Sequence, residues 1–403
     1  MCMVEIGIVG KPNVGKSTFF NAATHAGAET AGYPFTTINA NNAVGFVRTD
    51  CVCRELGVSD TPKNSKCIGG VRFAPVNLID VAGLVPDAHK GKGLGNKFLD
   101  DLRQAAVLVH VVDASGSTDS EGTPVTPGSH DPIDDVLFLE NEIERWFYSI
   151  FNRNWDKIAR RVETEKKDFA RFFEEMFAGI GITESAIHQA LREAGVDGGS
   201  PSKWGEDGLY QFSKALRAHS KKMIIAANKT DAAGAEGNIE RMRERFPNYT
   251  FVPTSSMAEF VLVNLAEKGA VKYIPGDSTF KVTDTSNLSP KEGKALDMIQ
   301  AKVFDRFGGT GVQECVNKAV IDVLEKIAVY PVEDETHYTD KDGRVLPDVF
   351  LMNKECTPFD VAERIHTDIA KHYVAAIDAK TKRKIAKDHR LKQGDVVKII
   401  SKA

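Results

Sequence analysis

Long apolar runs are missing from this 403-residue chain. No stretch of about 18 uncharged apolar residues occurs, so no segment reads as a membrane-spanning helix and no membrane partner is expected. The opening MCMVEIGIVG lacks a basic flank and a small-residue cleavage site, and it reads as a strand, not a signal peptide. Cysteine is scarce as well. Six cysteines are too few for a disulfide framework, which fits a reducing, cytoplasmic setting. Cys51, Cys53 and Cys67 offer three ligands of a metal site, but the spacing shows neither a CxxC pair nor a clear fourth ligand, so they read as reduced structural thiols. An excess of basic charge is also lacking. The net charge of −4 argues against a chain that coats nucleic acid along its length. The stretch from Lys354 onward is nevertheless basic, with 12 Lys and Arg against 7 Asp and Glu. That balance suits either a phosphate contact or a solvated tail.

What is present is the pattern of a doubly wound α/β protein of two or three domains. Residues 4–9, 76–80, 107–112, 223–227 and 250–253 are short, apolar and rich in β-branched residues, as buried parallel strands are. Residues 115–135 hold no Lys or Arg and many Ser, Thr, Gly, Pro and Asp, a composition that predicts a mobile loop. Residues 133–220 carry no convincing strand, and Ile133, Leu137, Ile143, Trp146, Phe147 and Ile150 recur near helical spacing, which predicts an inserted helical bundle. Residues 290–327 read as helix, opened by a Ser cap and a proline in SPKEGKALDMIQ. From about 328 a strand, a turn, a second strand, a helix capped at Thr357 or Asp360 and a closing strand predict a small α+β domain.

The strand at 4–9 runs into Gly10-Lys11-Pro12-Asn13-Val14-Gly15-Lys16-Ser17, a match to G-x-x-x-x-G-K-[ST] with no mismatch. Gly10 and Gly15 let backbone N–H groups turn towards phosphates, and the start of the following helix adds its dipole. Lys16 reaches the β- and γ-phosphates and the Ser17 hydroxyl suits Mg²⁺, with Val14 and Thr18 completing the nucleotide-binding stretch. Asp80 ends a strand in DVAGLV, where a carboxylate associates with Mg²⁺ and Gly83 offers its N–H to a γ-phosphate. Asn228-Lys229-Thr230-Asp231 leaves another strand. The Asp231 carboxylate can accept two hydrogen bonds from guanine, each worth about 1.5–3 kcal/mol, and adenine offers no such pair. Asn228 bonds base and loop, Lys229 covers a base face, and the backbone of Ser255 and Ser256 approaches guanine O6.

With these pieces in order, the chain resembles the Obg family of translation-related GTPases. YPFTT (Tyr33 to Thr37) is similar to that family's switch I, DVAGLVPDAHKGKGLGNKFL (Asp80 to Leu99) to its switch II, and VHVVDAS (Val109 to Ser115) extends the match. HTDIAKHYVAA and GDVVKII resemble parts of the YchF-type branch, which ends in a small ubiquitin-like TGS domain. The resemblance implies a P-loop G domain over residues 1–278 with a helical insertion at about 133–220, a helical connector at 279–327, and a β-grasp TGS domain at 328–403. It also implies that Thr37 ligates Mg²⁺ in the GTP state. Many members of this branch have lost Asn-Lys-x-Asp and prefer ATP, whereas this chain keeps the motif. GTP is therefore the expected nucleotide.

The position that holds a water-orienting Gln in Ras-like enzymes is Leu84, which cannot hydrogen-bond water, so slow hydrolysis is expected. Resemblance to potassium-activated GTPases with Asn at the P-loop position of Asn13 suggests that this residue helps hold K⁺ against the phosphates, where a cation offsets developing charge. Lys16, Thr37, Gly83 and Asn13 are thus the candidate catalytic groups. His89 and His130 are candidates to approach the phosphates, and solvated side chains are their plainer reading. The expectation is a monomeric nucleotide switch acting on ribosomes or RNA. Its competitors are a nucleotide-stabilised RNA- or ribosome-binding module with incidental hydrolysis, and an ATP-preferring regulator of the YchF type.

Overall fold

The computed structural model describes residues 3–25, 41–81 and 101–402. The motifs at Tyr33–Thr37 and from Gly83 to Leu99, and with them Thr37, Gly83, Leu84 and His89, lie outside the described residues. Up to residue 255 the described strands are β1 (Glu5–Val9), β2 (Asn42–Asp50), β3 (Lys66–Ile68), β4 (Val71–Asp80), β5 (Val107–Asp113), β6 (Lys222–Asn228) and β7 (Thr250–Pro253). The chain divides into two compact units. One joins Glu5–Ser17 to Ile79–Ser255, and the other gathers the first four residues, Thr18–Leu78 and Ser256–Ala403.

In the first unit β1, β5, β6 and β7 lie side by side and parallel, with Ile6 opposite Val107, Asp113 opposite Asn228 and Ala226 opposite Val252. Every residue of β5 is buried, which is why its sequence is nearly continuous in apolar residues instead of alternating. The end of β4 joins this edge through the Val81 N–H, which donates to the Ile8 carbonyl at 3.1 Å. The carboxyl ends of these strands therefore deliver Gly10, Asp80, Asp113 and Asn228 to one rim, the place where open α/β sheets bind ligands.

The expected helical insertion is present. Helices run over Pro132–Asn152, Trp155–Glu165, Phe169–Phe177, Glu184–Ala194 and Gly205–Ser220. Asp131 caps the first, accepting from the Ile133 N–H, with Pro132 at the first helical position. Phe147, Phe151, Phe173 and Phe212 are fully buried and interlock edge to face, with Phe151 and Phe173 ring centres 4.9 Å apart. The bundle also buries a polar knot. Arg217 donates to Glu140 at 3.1 Å, Glu144 at 3.0 Å and the Tyr249 hydroxyl at 2.9 Å, and Tyr249 donates to Glu140 at 2.5 Å.

The segment before this helix differs from the expected mobile loop. Its backbone closes on itself, the N–H groups of Val125, Gly128, His130 and Asp119 donating to the carbonyls of Ser117, Ser115, Gly116 and Thr123, and Asp119 Oδ1 accepts from the Glu121 and Thr123 N–H groups. Short polar side chains that suggest solvation in a sequence here satisfy a folded turn.

In the second unit β3 pairs antiparallel with β4, Cys67 facing Arg72. A short hairpin follows, β8 (Val271–Lys272) with β9 (Lys281–Val282), and then the helix Pro290–Ile299, opened by the expected Ser289 cap and Pro290, with Glu292 completing a capping box. The helix predicted through 327 is broken: Gly308 and Gly311 both adopt left-handed conformations between helical segments. Strands β10 (Lys326–Val332), β11 (Phe350–Asn353), β12 (Tyr373–Asp378), β13 (Arg383–Ile385) and β14 (Val396–Ser401) form a mixed sheet in the order β11-β10-β14-β12-β13. β10 and β14 run parallel, and the Pro358–Ile365 helix, with its Thr357–Asp360 capping box, supplies Val361 to the core. No helix among the described residues is long and apolar enough to cross a membrane.

Candidate nucleotide-binding site

The loop after β1 is held by close contacts that only glycine permits. A Cβ on Gly10 would stand 2.6 Å from the Val111 carbonyl oxygen, and one on Gly15 would stand 2.2 Å from Asn228 Nδ2. Gly15 also has a φ of 97°, which side chains avoid. Asn228 is pressed there because its Nδ2 donates to the Val14 carbonyl at 2.8 Å. The first residue of the Asn-Lys-x-Asp motif thus braces the glycine-rich loop directly.

Lys16 and Asp80, predicted from distant motifs, meet as an ion pair at the rim, both partly exposed. Ser17 is exposed beside Lys16 at the start of the Lys16–His25 helix, and Thr18 follows half-buried. Hydroxyl and carboxylate oxygens are the donors that Mg²⁺ takes, so Ser17 and Asp80 fit that ion. Asn13 adopts φ 63° and donates from Nδ2 to the Gly122 carbonyl at 2.9 Å, so the loop at 115–130 rests on the P-loop.

A second set gathers at the ends of β5 and β6. Lys229 donates to Asp113 at 2.8 Å and to the Ser117 hydroxyl at 3.2 Å. Ser255 donates its hydroxyl to Asp231 at 2.9 Å, and Thr230 donates to the Thr254 carbonyl. Ser256 is buried at the start of the Ser256–Glu267 helix.

Sequence reasoning missed Asp113. It accepts from the Ser115 hydroxyl at 2.6 Å, Ser117 at 2.8 Å, Thr118 at 3.0 Å and Lys229. Burial opposes its ionisation, but the hydrogen bonds from Lys229, Ser115 and Ser117 outweigh it and hold the carboxyl below its usual range. The signal available was an acid at a strand end followed by three hydroxyl residues within five positions. It fixes the ammonium of Lys229, and so its stem, at the carboxyl ends of β5 and β6.

His130 does not reach the phosphate rim. Its ring nitrogen meets Asp135 at 2.8 Å, and Asp135 also takes the buried Lys11 ammonium at 2.8 Å. Lys11 donates further to the Thr118 carbonyl at 2.9 Å.

A G-x-x-x-x-G-K-S loop, a Mg²⁺-type carboxylate and an ordered Asn-Lys-x-Asp on one parallel rim define a P-loop GTP-binding protein. Comparison with known proteins agrees. A family model described as 50S ribosome-binding GTPase matches residues 5–142, one for the G4 motif-containing domain of YGR210-like Obg-like GTPases matches 226–334, and the TGS domain model matches 335–401. A GTP-binding protein of Methanocaldococcus jannaschii is 49% identical over 401 residues, all of both chains. The crystal structure of a GTP-binding protein from Pyrococcus horikoshii covers 99% of this chain and 100% of its own, at 42% identity and a TM-score of 0.79. A Bacillus subtilis protein named ribosome-binding ATPase YchF is 39% identical over 248 residues, 59% of this chain and 61% of that one. The chain belongs to the YchF-type branch of the Obg family of GTPases, with a C-terminal TGS domain.

Proposed function

We propose that this protein is a GTP-specific, slowly hydrolysing switch that acts on ribosomal particles. One observation carries the choice of base: Asn228, Lys229 and Asp231 are all present and each is held in place, by Val14, Asp113 and Ser255 respectively. An ordered Asp231 carboxylate favours guanine, since adenine would leave it without its two donors. In this reading Lys16 takes the β- and γ-phosphates after leaving Asp80, and Gly10, Val14, Gly15 and Thr18 line the nucleotide. Ser17, Asp80 and Thr37 would hold Mg²⁺, which screens phosphate charge when bound. Gly83 would contact the γ-phosphate, and the Ser255–Ser256 backbone the base. Leu84 in place of a water-orienting Gln accounts for a low rate. Asn13, with its amide nitrogen given to Gly122, offers its carbonyl oxygen towards K⁺. The domain division is a G domain over 1–278, a connector over 279–327 and a TGS domain over 328–403. The ribosome enters through the family description and the name of the B. subtilis relative, and a cytoplasmic location follows from that partner.

The test is a nucleotide panel of GTP, GDP, ATP and XTP, for binding and turnover, with K⁺ and Na⁺ compared. GTP should bind far more tightly than ATP, and Asp231→Asn should move preference towards XTP. Equal affinity for ATP and GTP would defeat the base reading, and an unchanged rate in K⁺ the Asn13 role. Ribosome cosedimentation of wild type and Lys16→Ala then tests the switch, which is lost if both proteins bind equally under GTP and GDP.

A further inference from the structure

The three cysteines that looked unpaired in sequence converge, and the fold brings them a fourth partner. Cys51 ends the connection from β2 and precedes the short helix Val52–Leu56, which carries Cys53. Gly57, at φ 65°, ends that helix and turns the chain towards Asp60, while Cys67 lies on β3. The sulfurs of Cys51, Cys53 and Cys67 and a carboxylate oxygen of Asp60 all lie within 4.8 Å of one another. The Cys53 and Cys67 sulfurs are 3.8 Å apart. That is far beyond a disulfide bond of about 2.05 Å. It equals the edge of a tetrahedron with zinc–sulfur bonds of about 2.3 Å, which is roughly 3.8 Å. The Cys51 sulfur and Asp60 Oδ2 are 3.2 Å apart, slightly inside the corresponding sulfur–oxygen edge of about 3.5 Å.

The surroundings are those of a ligand shell. Arg72 is fully buried and its guanidinium pairs with Asp60 at 3.0 Å, while also donating to Ser65 at 2.8 Å and to the Leu346 carbonyl at 3.0 Å. It lies 5.3 Å from the centre of the Tyr330 ring. Ligating carboxylates are commonly oriented by such an outer partner. Three thiolates and a carboxylate around a divalent ion carry a net charge of −2, which a buried arginine partly offsets.

We propose that Cys51, Cys53, Asp60 and Cys67 form a structural zinc site. Thiolate donors select zinc over magnesium or calcium, and four protein ligands leave no open position for catalysis. The site would brace the segment on which the TGS domain rests: Thr61 and Lys63 donate backbone bonds to Val345 and Pro347, and Lys380 pairs with Glu55 at 2.6 Å.

The experiment uses the untagged full-length protein, purified under reducing conditions and analysed for metals by plasma mass spectrometry. One zinc per chain is expected, and Co²⁺ in its place should give the intense ligand-field and thiolate charge-transfer bands of a tetrahedral thiolate site. Iodoacetamide labelling of Cys51, Cys53 and Cys67 in the wild type should be at least tenfold slower with zinc than after chelation. Cys67→Ser and Asp60→Asn should each weaken zinc binding at least tenfold against a chromophoric chelator. The proposal is overturned if anaerobic loading of the wild type with Zn²⁺ or Co²⁺ gives no stoichiometric binding. A Cys53–Cys67 disulfide in freshly isolated protein, or unchanged labelling with zinc, would overturn it equally.

Discussion

Gly15→Ala places one methyl group 2.2 Å from Asn228 Nδ2, in a residue whose φ is 97°. Two costs arise, and they can be separated. Backbone strain at a positive φ is about 1–2 kcal/mol for any side chain. The collision adds a second term, because Asn228 must leave and its bond to the Val14 carbonyl breaks. Stranding those buried polar groups costs about 1–3 kcal/mol more. In an Asn228→Ala background the methyl meets no amide, so only the strain remains. The two substitutions should therefore couple by about 1–3 kcal/mol, well above the roughly 0.5 kcal/mol within which independent sites add. All three tryptophans (146, 155 and 204) sit in the helical insertion of the same unit as the P-loop, so urea unfolding followed by tryptophan fluorescence reports this unit. The measurement is made on nucleotide-free protein, where base recognition plays no part. Additive costs would refute the claim that Asn228 is fitted against Gly15.

His110 is fully buried in β5, and burial together with the Lys11 charge pushes its pKa down to about 3. The unfolded chain takes up that proton near pH 6.5, so stability is complete above that value and falls as pH drops towards 3. Between pH 7 and pH 5 this residue accounts for about 2 kcal/mol of lost stability at 1.36 kcal/mol per unit. His110→Gln should flatten the loss in urea titrations at the two pH values, and an unchanged slope would count against this account. Arg217→Met leaves Glu140 and Glu144 facing each other without their cation. It should destabilise the insertion by about 3–5 kcal/mol by the same fluorescence assay, and a loss under 1 kcal/mol would mean water already screens the knot.

The strands that carry the site were legible because buried parallel strands leave uninterrupted apolar runs, as VLVHVV does. β2 and β3 were not, since RTD and KCI mix charge with short apolar stretches. β12, YVAAID, was read only as a family likeness because its one fully buried residue is a small alanine and its valine is exposed, which leaves no strong period. Lys16, Asp80 and Asn228 announced themselves through fixed spacings. Asp113 did not, because its role depends on Lys229, 116 positions away. Asp60 escaped for a similar reason: nothing in a lone acid seven residues before Cys67 shows that a left-handed Gly57 will fold it back on the thiols. The polar stretch at 115–130 misled because solvated and self-satisfied turns share one composition.

The Lys11–Asp135 pair has a mechanical meaning. Lys11 belongs to the phosphate loop, Asp135 to the first turn of the helix that opens the insertion, and both are at least nine-tenths buried. Parting them would strand a buried charge at a cost of about 3–5 kcal/mol, more than most loop rearrangements demand. A displacement of the loop that keeps this pair intact carries the base of that helix with it. The helix it anchors has 21 residues and is roughly 30 Å long at 1.5 Å per residue, so the pair ties the phosphate loop to the base of a long lever.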